Sequence, residues 1–477
     1  MDDRPRIAPE ALLPLAAGLY WLWSAPGHGL AGFVFSVVPG CLLLGSGTAM
    51  ALWPGDRRIP QFAALGGFLG LPLALPALFA VGWLHGLALV LLSAAAFVAA
   101  GWHAVALEPP VDDVPEPELT PRLAVEVALD ELLLSTMHLS RRPRPGGERA
   151  RIVAEVEAAL ELFEERGWLE KPASYHETPP PLERPHLIPS RIRSVHFERL
   201  SFESHYEPRP EEPGRDRWLG YAPNRTAHAW VLRHPGPPRP WLVCIHGYQM
   251  GIPLVDLAAF PPPWLHHRLG LNLLLPVLPL HGPRKIGRRS GDGYLDGDLL
   301  DTVHAEAQAM WDIRRLLSWV RAEEEVPVGV LGYSLGGYNT ALLASLEEGL
   351  RCAMPGVPAA DVTRLLGRHA APAELQEIEA SGLDLERARR LLRVVSPLDL
   401  EPRVPWEGRA IFGAVADRLV PADQVRDLWR HWGRPRIVWY QGGHVTFRAH
   451  PAVVRLIGDV LRERGLAGGA AAARVGG

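Results

Sequence analysis

Gly332-Tyr-Ser-Leu-Gly336 sets a serine between two glycines, directly after the apolar run VPVGVLG and directly before NTALLASL. That order of strand, sharp turn and helix is what exposes a serine hydroxyl as a nucleophile, because small neighbours permit a strained backbone and bring a helix N-terminus beneath it. Glycine turns can also cradle phosphate. That use needs G-x-x-x-x-G-K-[ST], and no lysine lies near Ser334; the dinucleotide fingerprint G-x-G-x-x-G is absent as well. A bare structural turn is the remaining alternative.

A serine hydroxyl is a weak nucleophile near neutral pH, so it needs a base to take its proton and a carboxylate to orient that base. His444 follows the apolar run RPRIVWYQ in a Gly442-Gly443-His444 loop, whereas His369, His431 and His450 lie in helix-like or proline-bounded segments. Asp417 follows RAIFGAVA at the end of an expected strand; Asp399 in SPLDL is its rival, and Asp423 and Asp427 fall in the next helix. Ser334, Asp417 and His444 then occur in the chain order of α/β-hydrolases rather than that of the chymotrypsin or subtilisin types.

On these residues the chain resembles the α/β-hydrolase superfamily over about residues 190–465, as a serine esterase or lipase type. The resemblance implies an oxyanion hole built after the His246-Gly247 pair of WLVCIHGYQMG, with the backbone N–H groups of Tyr248 and Leu335 as donors. Fixed donors of this kind are worth about 2.7–4 kcal/mol of barrier each. A second His-Gly pair, in LPLHGPRKIGRRSGDGYLDGD, should reach the carboxyl edge of the sheet, where ligands of α/β proteins collect. His246, His281 and Arg284 are therefore candidates for substrate contact. Arg284, Lys285, Arg288 and Arg289 could meet an anionic headgroup, or could pair with Asp292, Asp296 and Asp298 of their own loop. Neither the aspartates nor the histidines show metal-ligand spacing, so no metal is expected, and the chemistry needs no cofactor.

The elements that must hold these residues follow from pattern. Apolar and β-branched runs alternate with helical segments from residue 190 on, which predicts an α/β fold with a mostly parallel central sheet flanked by helices. RIRSVHFERLSF and TAHAWVLRH read as its two opening strands. Residues 301–324, 336–348 and 422–432 read as helices. Residues 361–394 read as a helical insertion suited to a cap, and residues 466–477 as a tail.

The front of the chain is different. Residues 11–55 and 61–107 contain no Asp, Glu, Lys or Arg, and each block is about twice the ~20 residues that span a bilayer as helix. Two helical hairpins are expected, breaking at residues 24–29 and 82–86, hence about four spans in residues 1–107. Arg4, Arg6, Arg57 and Arg58 lie on one side of them, which by the positive-inside tendency puts residues 108–477 in the cytoplasm; if Pro14 and Glu10 keep the first segment out of the membrane, three spans remain and the catalytic part moves outside. The acidic, proline-rich stretch 108–121 reads as a linker, and residues 122–189 as a connector with amphipathic helices at 122–139 and 148–168.

The chain has 477 residues and a net charge of −4, which gives no positive field for a nucleic-acid partner. Three scattered cysteines support neither a disulfide framework nor a zinc ribbon. The expected function is a multi-pass membrane serine hydrolase acting on a small-molecule or lipid acyl ester. A peptidase or thioesterase uses the same triad, and a catalytically silent binding module would keep the same fold.

Overall fold

The uncharged sequence at the front forms helices, in which every backbone polar group can be paired within the segment. In the computed structural model, which describes residues 9–24, 29–80, 82–140, 146–295 and 298–468, these helices are α1 (Leu12–Ser24), α2 (Gly29–Leu52), α3 (Ile59–Ala80) and α4 (Trp83–Ala106). Three of them carry windows long and apolar enough to cross a membrane: Phe35–Leu52, Ile59–Phe79 and Trp83–Ala106. The four expected helices are present, and three of them reach that length and hydropathy among the described residues. α1 has 13 residues, about 20 Å at ~1.5 Å per residue, against a hydrocarbon core of about 30 Å. Phe33, Phe35, Phe62, Phe68, Leu75, Phe79, Trp83 and Leu91 of these helices are exposed. Expectations placed on Arg4, Arg6 and Asp296, on the turn at residues 25–28 and on the tail beyond residue 468 lie outside the described residues.

The chain divides into two units. The first comprises Met1–Pro143, Ala414–Asp423 and Trp439–Pro451, and adds helix α5 (Pro121–Ser140) to the four apolar helices. Its helices approach closely through small residues, which let backbones come together. A Cβ on Gly101 of α4 would stand 1.8 Å from the Ala124 carbonyl of α5. Ala104 and Val105 of α4, Leu123 and Val127 of α5, and Val415 and Ala416 form one buried cluster.

The second unit comprises Arg144–Gly413, Gln424–Val438 and Ala452–Gly477. The strands of the molecule are β1 (His186–Ile192), β2 (Val195–Glu203), β3 (Thr226–Leu232), β4 (Trp241–Ile245), β5 (Asn272–Val277), β6 (Val328–Tyr333), β7 (Leu350–Gly356), β8 (Ala410–Ala414) and β9 (Arg436–Tyr440). They form one sheet in the order β1-β2-β3-β5-β4-β6-β7-β8-β9. β1, β2, β3 and β5 pair antiparallel, and β5, β4, β6, β7 and β8 parallel. Every residue of β4 to β8 except Arg351 is buried, as helices on both faces require. The first expected strand, residues 191–202, holds the end of β1, a two-residue turn and nearly all of β2. Arg193 takes φ 50° there and reverses the chain, so Ile192 faces Val195 in the ladder.

The remaining helices are α6 (Gly146–Glu165), α7 (Arg215–Gly220), α8 (Pro253–Ala259), α9 (Leu299–Glu323), α10 (Leu335–Leu346), α11 (Val362–His369), α12 (Pro372–Ala380), α13 (Leu385–Leu392), α14 (Ala422–His431) and α15 (Pro451–Glu463). α6 docks on α9 and α13. α11 to α13 are the insertion expected at residues 361–394, and residues of α11 and α13 line a small cavity with Tyr338 of α10. The architecture is a mostly parallel sheet flanked by helices, preceded by an all-α region.

Candidate active site

β6 ends at Tyr333 and α10 begins at Leu335, so Ser334 alone makes the turn between them. Its φ of 59° and ψ of −119° lie in a region that costs a non-glycine residue about 1–3 kcal/mol and persists only where packing over-determines it. The packing is visible in the flanking glycines. A Cβ on Gly336 would stand 2.0 Å from the Ile245 carbonyl, and one on Gly332 would stand 2.1 Å from the Gly336 carbonyl. Ser334 N–H donates to Gly356 O at 3.0 Å, and Ser334 C=O accepts from Tyr338 N–H at 2.9 Å. The turn is thus held by β7 on one side and by the first turn of α10 on the other.

The loop after β4 lies against this turn. A Cβ on Gly247 would stand 3.4 Å from Tyr333 O and 3.6 Å from Ser334 Cβ, ordinary contact distances. His246 is buried and fixes the loop by both ring nitrogens. Its Nδ1 donates to Gly247 O at 2.8 Å, and its Nε2 accepts from Leu278 N–H at 3.0 Å. Burial holds its pKa below the usual histidine value. The side chain is therefore a neutral brace between two loops. Tyr248, whose N–H is the expected first oxyanion donor, stacks its ring edge-on against His281 at 5.8 Å. Leu335, the expected second donor, is the first residue of α10, where N–H groups have no intrahelical acceptor.

His281 is buried; its Nδ1 donates to Pro279 O at 2.8 Å, and its Nε2 has no hydrogen-bond partner among the described residues. Burial pushes its pKa well down. Arg284 is fully buried too, and turns inward. Its guanidinium donates to Val277 O and Asn224 O, both at 3.0 Å, and pairs with Asp312 at 2.9 Å. These partners belong to the fold, which corrects the expectation of a ligand contact from Arg284.

Asp417 and His444 belong to the first unit. Asp417 Oδ2 accepts from His444 Nδ1 at 2.7 Å, while Oδ1 accepts from Leu419 N–H at 3.0 Å and Val420 N–H at 2.7 Å. The carboxylate is thus fully committed, and its bond to Nδ1–H leaves His444 Nε2 as the proton acceptor. Burial pulls the His444 pKa down, but the Asp417 charge and hydrogen bond and the Asp130 charge prevail and hold it above the usual value of 6.5. The rivals are engaged elsewhere. Asp399 accepts from Arg393 Nε at 2.9 Å, His431 Nε2 meets Leu400 O at 2.9 Å, and His450 Nε2 meets Glu126 at 3.0 Å.

Sequence reasoning missed the carboxylates around this pair. Asp130 of α5 is completely buried, and its Oδ2 accepts from His444 N–H at 2.7 Å and Arg418 N–H at 3.2 Å. Burial and the Asp417 charge push its pKa up to about 8. Glu126 accepts from Arg122 Nε at 2.8 Å and Thr446 Oγ1 at 2.6 Å, and Glu131 from Arg418 Nε at 2.5 Å. The signal was present in LAVEVALDELLLS: three acids embedded among the apolar residues of one helix, two of them four apart and so on one face. Among the described residues no group of three or more His, Cys, Asp or Glu side chains could hold a metal ion.

No protein-family model matches the chain. Among solved structures it is similar to acetyl xylan esterase 1 from Thermoanaerobacterium sp. JW/SL YS485, with TM-score 0.45, 16% identity, and coverage of 64% of this chain and 93% of that one. It is similar also to an acetyl xylan esterase from Paenibacillus sp. R4, with TM-score 0.43, 16% identity, and coverage of 61% and 98%. Among curated proteins, an uncharacterized protein of Mycobacterium tuberculosis strain CDC 1551 is 46% identical over 372 residues, spanning 78% of this chain and 89% of the relative. A second, from strain H37Rv, is 45% identical over 372 residues with the same coverage. The chain belongs to the family of these mycobacterial proteins.

Proposed function

We propose that the chain is a membrane-anchored serine hydrolase that cleaves an ester of a hydrophobic acyl group through an acyl-enzyme. The observation that carries this reading is the 2.7 Å bond from His444 Nδ1 to the buried Asp417, because it fixes the tautomer whose Nε2 can take a proton. The strained serine turn supplies the nucleophile, and Ser334, Asp417 and His444 each follow the carboxyl end of a strand, where ligands of α/β sheets bind.

In this reading Ser334 Oγ bonds to the substrate carbonyl carbon while its proton passes to His444 Nε2. The Tyr248 and Leu335 N–H groups hold the oxyanion, and Asp417 stabilises the imidazolium. Collapse breaks the bond to the alcohol oxygen, which leaves with the proton from His444. Water then repeats the sequence on the acyl-serine and releases the acid. No cofactor takes part.

Membrane anchoring is supported by the three apolar windows and by the exposed aromatic residues on α2 to α4. Arg57 and Arg58 lie between α2 and α3, an even number of spans before residue 108, so they share its side, and Arg4 and Arg6 join them when α1 crosses as well. Positive charge favours the cytoplasm, which is where the hydrolase portion is placed in this reading.

The test is fluorophosphonate labelling of membranes bearing the full chain. Labelling is expected to stay with the pellet after alkaline carbonate washing and to vanish in Ser334→Ala. A folded wild type that takes no label refutes the enzyme, and label released by the wash refutes the anchor.

A further inference from the structure

The second glycine of the Gly442-Gly443-His444 loop has no room for a side chain, and the obstacle is α5. A Cβ on Gly443 would stand 2.7 Å from Asp130 Oδ2 and 2.8 Å from the Glu126 carbonyl; one on Gly442 would stand 2.5 Å from Glu126 Oε2. The loop therefore lies directly on the helix, within the first unit. α5 in turn is pressed against α4 at Gly101 and shares the apolar cluster of Leu123, Val127, Val415 and Ala416 with it.

The polar contacts at this seam converge on the acid and base. One oxygen, Asp130 Oδ2, accepts from the backbone N–H of His444 itself and of Arg418, the residue after Asp417. Glu131 holds the Arg418 guanidinium, which also pairs with Glu108, and Glu126 holds Thr446 and His450 beyond the base. The other oxygen, Asp130 Oδ1, is buried and has no hydrogen-bond partner among the described residues. An unpaired buried carboxyl oxygen carries a desolvation cost that packing alone would not retain.

We infer that Asp130 is a positioning residue for the catalytic pair: by clasping the two loop N–H groups at one oxygen, the helix packed on the apolar bundle sets where Asp417 and His444 stand. This rests on the serine-hydrolase reading above. Asp130 touches no reacting atom and acts through the backbone of His444. Its replacement should cost turnover rather than substrate affinity, because a misplaced base is felt in the proton-transfer step.

The test uses the full chain in its membrane or detergent. Asp130→Ala is expected to lower kcat on the order of 10²-fold with little change in KM, and to speed amide hydrogen exchange in residues 441–449. Asp130→Asn keeps a carbonyl oxygen for both N–H groups, so it should restore most of the turnover and the protection. Gly443→Ala, which pushes on Asp130 without removing it, should repeat the defect of Asp130→Ala and serves if that variant does not fold. Unchanged kcat in Asp130→Ala overturns the role, and so does equal loss in the Asn and Ala variants. Unchanged exchange in Asp130→Ala overturns it independently of activity, whereas absent Ser334 labelling in the wild type strikes the triad reading itself.

Discussion

Replacing Asp417 by Asn is the sharpest test of the acid–base pair, because the structure dictates which way the amide must face. Asp417 Oδ1 accepts two backbone N–H groups, at 3.0 and 2.7 Å, and Oδ2 accepts one ring N–H at 2.7 Å. Asparagine has a single carbonyl oxygen. Placed toward Leu419 and Val420 it keeps two bonds, and its NH2 then meets His444 Nδ1. Placed toward His444 it keeps one bond and sets NH2 against two donors, at about 1–3 kcal/mol for each buried group left unsatisfied. The first orientation wins by at least one such group. Nδ1 must then accept, the ring proton moves to Nε2, and Nε2 can no longer take the serine proton. The expected loss in kcat is on the order of 10⁴-fold, about 5.4 kcal/mol of barrier, with the fold retained. Initial rates on a p-nitrophenyl acyl ester, with circular dichroism as the folding control, measure it. Retention of more than about a tenth of kcat, or the same loss in Asp399→Asn instead, would refute the reasoning.

Two further outcomes follow from the site. The base acts when neutral, and His444 holds its proton above the ordinary value of 6.5; kcat/KM should therefore fall as the pH drops through a midpoint above 6.5, and a midpoint at or below it contradicts the role of Asp417 and Asp130. Gly336→Ala drives a Cβ to within 2.0 Å of the Ile245 carbonyl, so α10 must shift, at about 1–3 kcal/mol or more. Thermal unfolding followed by tryptophan fluorescence should show the loss, while Gly147→Ala, which meets nothing within 4 Å, should leave the midpoint in place.

Much of the fold was legible locally because its signals are short-range. Eight of the nine strands were visible as apolar or alternating runs, since burial on both faces excludes charge from the run itself. The ninth was hidden, because the polar residues of β1 are mostly exposed and carry no periodic signal, and a left-handed Arg193 announces no turn in the way glycine would. The front helices were visible from missing charge. Their lengths were less legible: α1 has 13 residues where α2 to α4 have 22 to 24. Arg284 looked like a ligand contact in a charged loop; only its burial against Asp312 revealed an internal pair.

By itself the sequence determined the chemistry on offer: a serine in a turn only small neighbours permit, an aspartate and a histidine after later strands, and a front end of long uncharged runs. Those are statements about residues and their near neighbours, and local sterics and hydropathy suffice for them. The tertiary structure decided which groups meet. Asp130 lies 314 residues before the histidine whose backbone it holds, and no periodicity spans such a gap. It also explained the Gly442-Gly443 pair, which is small because a helix from the far end of the chain lies against it.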